Sequence, residues 1–137
     1  MTRPLILYCD GASRGNPGAA AIGAVILDAN GAVLHTLSEA IGKATNNVAE
    51  YTALIRALEV ALRMSPDAVD CRLDSELVVR QMQGTYRIKH PKMVVLAQRV
   101  RDLCGQIPRC VVTFSHVPRA ANQQADALAN AALDKAR

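Results

Sequence analysis

The chain has 137 residues, 50% hydrophobic and 20% charged, which suits one soluble domain with a real core. A net charge of +4 and a pI of about 9.1 are only a weak pointer to a polyanion. No apolar run reaches membrane-spanning length, and Met1 to Pro4 leads into a strand-like segment with no basic-then-apolar leader pattern, so a cytoplasmic protein with no membrane partner is expected.

Leu5 to Cys9 read as a short apolar strand that runs into Asp10 and a loop of Gly11, Ser13, Gly15, Asn16, Pro17 and Gly18. Residues 20–28 and 32–41 read as two more strands, joined by the hairpin signal Asn30-Gly31. A helix is predicted from about Asn47 to Met64, with Tyr51, Leu54, Ile55, Leu58 and Leu62 at helical spacing and Pro66 ending it. Residues 68–73 read as a strand, and Ser75 to about Gly84 as a short helix. Pro91 to Cys104 reads as a helix with proline in its first turn, 109–117 as a strand, and Asn122 to Lys135 as an alanine-rich helix. The order βββαβααβα predicts an α/β fold, a mixed sheet with helices on its faces, in a single domain spanning 1–137.

The four cysteines, Cys9, Cys71, Cys104 and Cys110, have no C-x-x-C spacing, which argues against zinc and for buried free thiols. Leu77 to Arg101 contains no Asp or Glu but holds Arg80, Arg87, Lys89, Lys92, Arg99 and Arg101. A stretch of one sign this long reads either as a solvated basic face or as a surface for a polyanion.

Four carboxylates stand in places that suggest chemistry, and each also has an ordinary explanation. Asp10 ends the first strand, where an Asp-Gly turn is the ordinary account of it. Asp74 ends the fourth strand, where a helix N-cap would serve. Glu50 falls within about 40° of Leu54, Ala57 and Ala61 on the helical wheel. It is therefore on the apolar face, or in a capping box with Asn47. Asp126 borders the apolar sector of the last helix, or faces solvent. Taken together they are more telling. Sites in such sheets collect at the carboxyl ends of strands, where Asp10 and Asp74 would converge if strands one and four are parallel neighbours. Four clustered carboxylates need cations, and hard oxygen-seeking ions such as Mg²⁺ or Mn²⁺ suit them.

The chain closely resembles type 1 ribonuclease H. The matching stretches are YCDGASRGNPG (8–18), TNNVAEY (45–51), LDSELVVRQ (73–81) and HVPRAANQQADALA (116–129), in the family's order and spacing. The resemblance implies a ribonuclease H-like fold: a five-stranded mixed sheet, with three antiparallel strands and then two parallel to the first. It implies a metal-dependent endonuclease that hydrolyses the RNA strand of RNA–DNA hybrids and leaves 5′-phosphate and 3′-hydroxyl ends. Two Mg²⁺ ions with substrate, or Mn²⁺ in their place, are the implied cofactors.

Carried over by motif, Asp10, Glu50, Asp74 and Asp126 match the metal ligands, and His116 matches a mobile histidine that helps product or metal leave or handles protons. Asn16, Asn46 and Asn47 match residues on the hybrid backbone, including its 2′-hydroxyls, and Thr45 matches a phosphate-binding position. Backbone amides of Gly11 to Ser13 are expected to approach the RNA, and Asn122 is grouped with these substrate-facing residues. Arg119 and Glu76 are auxiliary candidates, Arg119 because small residues follow the histidine in the best-known members.

Gly84 to His90 is too short for the family's basic handle, so the chain resembles the compact, handle-free subtype of some bacteria and archaea. That resemblance adds double-stranded RNA to the expected substrates. A monomer is expected. The alternatives weighed are a catalytically silent hybrid-binding module and a resolvase- or integrase-like nuclease of the same superfold.

Overall fold

A computed structural model describes residues 3–136; Met1, Thr2 and Arg137 lie outside the described residues, and with them the start of the segment inspected for a leader. Five strands form one sheet: β1 (Pro4–Gly15), β2 (Gly18–Asp28), β3 (Val33–Ala44), β4 (Ala68–Leu73) and β5 (Val111–His116). Their order across the sheet is β3-β2-β1-β4-β5. β1–β2 and β2–β3 are antiparallel, while β1–β4 and β4–β5 are parallel. The helices are α1 (Asn46–Leu62), α2 (Glu76–Met82), α3 (Pro91–Cys104) and α4 (Gln123–Lys135), with a 3₁₀ turn at Arg119–Asn122 ahead of α4. This is the mixed sheet expected from the order of elements.

Strand alternation decides which face each residue serves. Leu5, Leu7 and Cys9 of β1, Ile22, Ala24 and Ile26 of β2, and Val69, Cys71 and Leu73 of β4 join the core built around Tyr51, Leu54 and Leu58 of α1. The opposite face of β2 carries small residues, and Ala21 packs on Ala132 and Leu133 of α4. A Cβ at Gly23 would stand 2.1 Å from the carbonyl oxygen of Ala125, so α4 can lie this close only over a glycine. β2 is thus buried on both faces, which is why it reads as an unbroken apolar run. Cys9 and Cys71 are buried free thiols, whereas Cys104 and Cys110 are only partly buried.

The first strand differs most from expectation. The segment expected as a loop from Gly11 stays in the ladder, from Asp10↔Gly23 to Gly15↔Gly18, so the turn shrinks to Asn16-Pro17, joined by a cis peptide. Pairing with the small residues of β2 overrides the local turn preference of Gly, Ser and Asn. β5 is shorter than the predicted 109–117, and the last helix begins in the 3₁₀ turn. The hairpin at Asn30-Gly31 is as expected, with Gly31 at φ +86° and Asp28 N–H bonded to the Ala32 carbonyl at 3.0 Å. Among the described residues no helix is long and apolar enough to cross a membrane.

Candidate active site

The parallel ladder between β1 and β4 ends at the pair Cys9↔Leu73. Asp10 and Asp74 are therefore the first residues of their two segments beyond the shared ladder, where a crevice opens. Asp10 does not end its strand, as the sequence suggested, but lies inside β1 opposite Gly23. It is not a turn residue.

The two capping explanations also fail. Ser75, not Asp74, caps α2, its Oγ accepting from Val78 N at 3.3 Å. Thr45 caps α1, its Oγ1 accepting from Val48 N at 3.2 Å, and no box forms between Asn47 and Glu50. Glu50 instead reaches across to β1, where its Oε1 accepts the Gly11 N–H at 3.1 Å.

Asp10, Glu50 and Asp74 each offer a carboxylate oxygen within 4.8 Å of the others. Asp10 and Glu50 are only 5% and 7% exposed. Asp126, in the first turn of α4, stands beside Asp10 across the cleft. All four line one cleft of about 620 Å³, together with Gly11, Ser13, Asn46, Asn47, Arg119 and Asn130. Burial, then the charge of Asp74 and the contact with Asp126, push Asp10 up to about 7. Burial and the charge of Asp10 hold Glu50 well above the usual carboxylate range, against the opposing Gly11 N–H. Such a cluster disfavours its own anions and so stores affinity for cations.

The donor set fits a hard divalent ion. It consists of oxygens only, and the Oε2 of Glu50 is buried with no hydrogen-bond partner, an orphan that a cation would satisfy.

The expected substrate residues divide by what their polar atoms already do. Gly11 lines the cleft but is buried, and its amide is already taken by Glu50. Its smallness has another cause: a Cβ there would stand 2.2 Å from the carbonyl carbon of Ala49 and 2.4 Å from Glu50 N. Ser13 is also engaged locally, its hydroxyl within donating reach of either the Ala44 carbonyl, at 2.7 Å, or the Gly15 carbonyl, and its N–H donating to Asn46 Oδ1 at 3.2 Å. Asn16 accepts from Asn46 N at 3.1 Å, which ties the β1–β2 turn to the start of α1. Asn122 is only 1% exposed and donates Nδ2 to the Cys9 carbonyl at 2.8 Å. It braces β1 beside Asp10 rather than reaching a substrate, because a side chain this buried has no surface to offer.

His116 is exposed at the end of β5 and, unlike Arg119, is absent from the lining of the carboxylate cleft. Glu76 is exposed on α2, with its carboxylate 3.8 Å from Arg80, and also lies outside the cleft.

A second cleft of about 560 Å³ adjoins the first. It is lined by Asn16, Lys43, Thr45, Asn47, His90 and Lys92, and Asn47 lines both. Of the basic stretch only Lys92 reaches it, and Lys43 and His90 were not singled out from sequence. Asn130 was not proposed for the site either, although its i,i+4 spacing from Asp126 was the available signal.

The family described as reverse-transcriptase-like matches residues 8–132. The ribonuclease HI of Halobacterium salinarum is 46% identical over 94% of this chain, which spans 64% of that protein's length. The ribonuclease H of Thiobacillus denitrificans is 34% identical over 100% of this chain and 99% of its own. The structure of LC11-RNase H1 in complex with an RNA/DNA hybrid superposes with a TM-score of 0.90 at 47% identity, covering 96% of this chain and 98% of that one. A carboxylate cleft at the mouth of a β3-β2-β1-β4-β5 sheet, matched along nearly the whole chain by these relatives, means that the chain belongs to the ribonuclease H family.

Proposed function

We propose that this chain, as a single domain over 1–137, is a metal-dependent endonuclease that hydrolyses the RNA strand of RNA–DNA hybrids and leaves 5′-phosphate and 3′-hydroxyl ends. The observation that carries the reading is the convergence of Asp10, Glu50 and Asp74 oxygens within 4.8 Å in an open cleft shared with Asp126. These four residues would hold the divalent ions, Mg²⁺ or Mn²⁺. Bound there, a pair of ions supplies an activated water and stabilises charge on the attacking and leaving oxygens.

The chain's own residues do the rest. Gly11 N–H occupies one oxygen of Glu50 and leaves Oε2 turned to the cluster's task. Asn47, lining both clefts, would contact the hybrid backbone between the cut strand and its partner. Lys43, Thr45, His90 and Lys92 would take a phosphate of the DNA strand in the second cleft, and Asn46 a ribose hydroxyl near the first. Arg119 sits where it can neutralise charge on the scissile phosphate or the product; His116, outside the cleft, would serve only by moving in.

The test is a cleavage panel of labelled hybrid, double-stranded RNA, double-stranded DNA and four-way junction, each with Mg²⁺, Mn²⁺ or EDTA. Hybrid cleavage with either ion, lost in EDTA and in Asp10→Asn, is expected. Full activity in EDTA, preference for junctions, or tight hybrid binding without turnover under any ion would overturn it. End analysis of the RNA fragments checks the 5′-phosphate.

A further inference from the structure

The four carboxylates are not held alike. Asp10 and Asp74 are placed by β1 and by the end of β4, and Glu50 is fixed by the Gly11 N–H. Asp126 comes from another element and stands outside the group whose oxygens lie within 4.8 Å of one another. One helical turn beyond it, Asn130 donates Nδ2 to Asp126 Oδ1 at 3.2 Å and to the Asp126 carbonyl oxygen at 3.0 Å. Both partners are acceptors only, so the amide must present its nitrogen to them, and its orientation is determined by the network. Asn130 also lines the carboxylate cleft.

We propose that Asn130 is a positioning residue that presents the Asp126 carboxylate to the divalent ion. The inference rests on the metal reading of the cleft given above. A carboxylate on a half-buried helix face, left without a partner, samples several rotamers, and each binding event must freeze one. The Asn130 amide occupies Oδ1 and leaves Oδ2 for the ion. Its second bond, to the Asp126 backbone, keeps the amide itself in place. Residue type matters here. Lysine or arginine at 130 would pair with Asp126 and compete with the ion for its charge, whereas a neutral amide orients the carboxylate and leaves the charge intact. The arrangement needs only the i,i+4 geometry of α4, so it is present before ion or substrate arrives.

The ordinary alternative is that Asn130 merely stabilises α4. The two are separated by following the rise in melting temperature of the whole chain with Mn²⁺, with calorimetric titration of Mn²⁺ alongside. For Asn130→Ala the Mn²⁺ midpoint should rise about tenfold, the scale for losing an outer partner of a metal ligand. Its melting temperature in EDTA should stay near the parent's. In an Asp126→Asn background the same substitution should shift the midpoint less than about twofold, since its effect passes through Asp126. On the hybrid, kcat at limiting Mn²⁺ should fall with KM unchanged, and excess Mn²⁺ should restore it. An unchanged midpoint in Asn130→Ala beside a responsive parent would overturn the proposal. So would an equal loss in the Asp126→Asn background, or a loss confined to the EDTA melting temperature. A parent with no Mn²⁺ response in either measurement would overturn the metal reading, and this proposal with it.

Discussion

Gly11 N–H donates to Oε1 of Glu50 at 3.1 Å, joining the middle of β1 to the second turn of α1 at the residue next to Asp10. The bond exists because Gly11 has no side chain, so the α1 backbone can press against β1. Gly11→Ala would place a methyl 2.2 Å from the Ala49 carbonyl carbon, where only backbone could give way. We expect a loss of about 1–3 kcal/mol in stability, the scale of core overpacking. Hybrid cleavage should drop about a hundredfold, since a displacement of about 1 Å in a catalytic group has that effect. Melting and cleavage assays check both.

The metal-free cluster should make stability depend on pH with a definite sign. Asp10 rises from 3.8 to about 7 in the folded state. Between those values the native state binds more protons than the unfolded chain, so this group's contribution falls as pH rises through the window, and the penalty is complete above about 7. Glu50 shifts in the same direction. In EDTA, Asp10→Asn should therefore melt increasingly above the parent as pH goes from 4 to 8. Mg²⁺ or Mn²⁺ should narrow or reverse the gap by binding the native parent. A gap that is flat with pH would contradict the cluster's electrostatics.

Arg119 and His116 should not be equivalent. Arg119 lines the carboxylate cleft and His116 does not. Arg119→Ala should lower kcat on hybrid roughly tenfold to a hundredfold, and His116→Ala by less. Parallel kinetics with the two variants decide this, and a larger loss for His116→Ala would mean that the histidine swings in during turnover.

The second cleft should reveal itself through salt. Lys43 and Lys92 line it and would each neutralise a phosphate. Replacing either with alanine should weaken hybrid binding and make the slope of log affinity against log salt shallower by about 1. Fluorescence anisotropy with an uncleavable hybrid measures the slope.

Tyr51 Oη donates to Gln81 Oε1 at 2.6 Å, a buried bond that joins α1 to α2. Tyr51→Phe strands the Gln81 carbonyl, which is 4% exposed at the residue level, and should cost about 1–3 kcal/mol. Neither residue lines the carboxylate cleft, so cleavage below the new melting temperature should persist.

Most of the fold was legible because its signals are local. Helical spacing, Asn30-Gly31 and the prolines locate α1, the β2–β3 hairpin and α3 to within a few residues. What misled was composition without partners. The glycine-rich run after Asp10 looks like a loop, and only the opposing Ala19 to Gly23 of β2 make it a strand. Asn122 looks like a polar surface residue beside Asp126, and only the approach of the 3₁₀ turn to β1 turns it into a brace on the Cys9 carbonyl.

The same division holds for the site. That these four carboxylates gather in one cleft was legible in the sequence, since the placement of acids after apolar strands and on an apolar helix face is written in local pattern. Where each carboxylate stands was decided by tertiary structure. The parallel pairing of β1 with β4, residues more than sixty positions apart, ends one step before both Asp10 and Asp74. The contact of β1 with α1 turns Glu50 from a candidate cap into a buried carboxylate with one oxygen engaged and one free. Such relationships depend on chain closure over long distances, which no local spacing encodes.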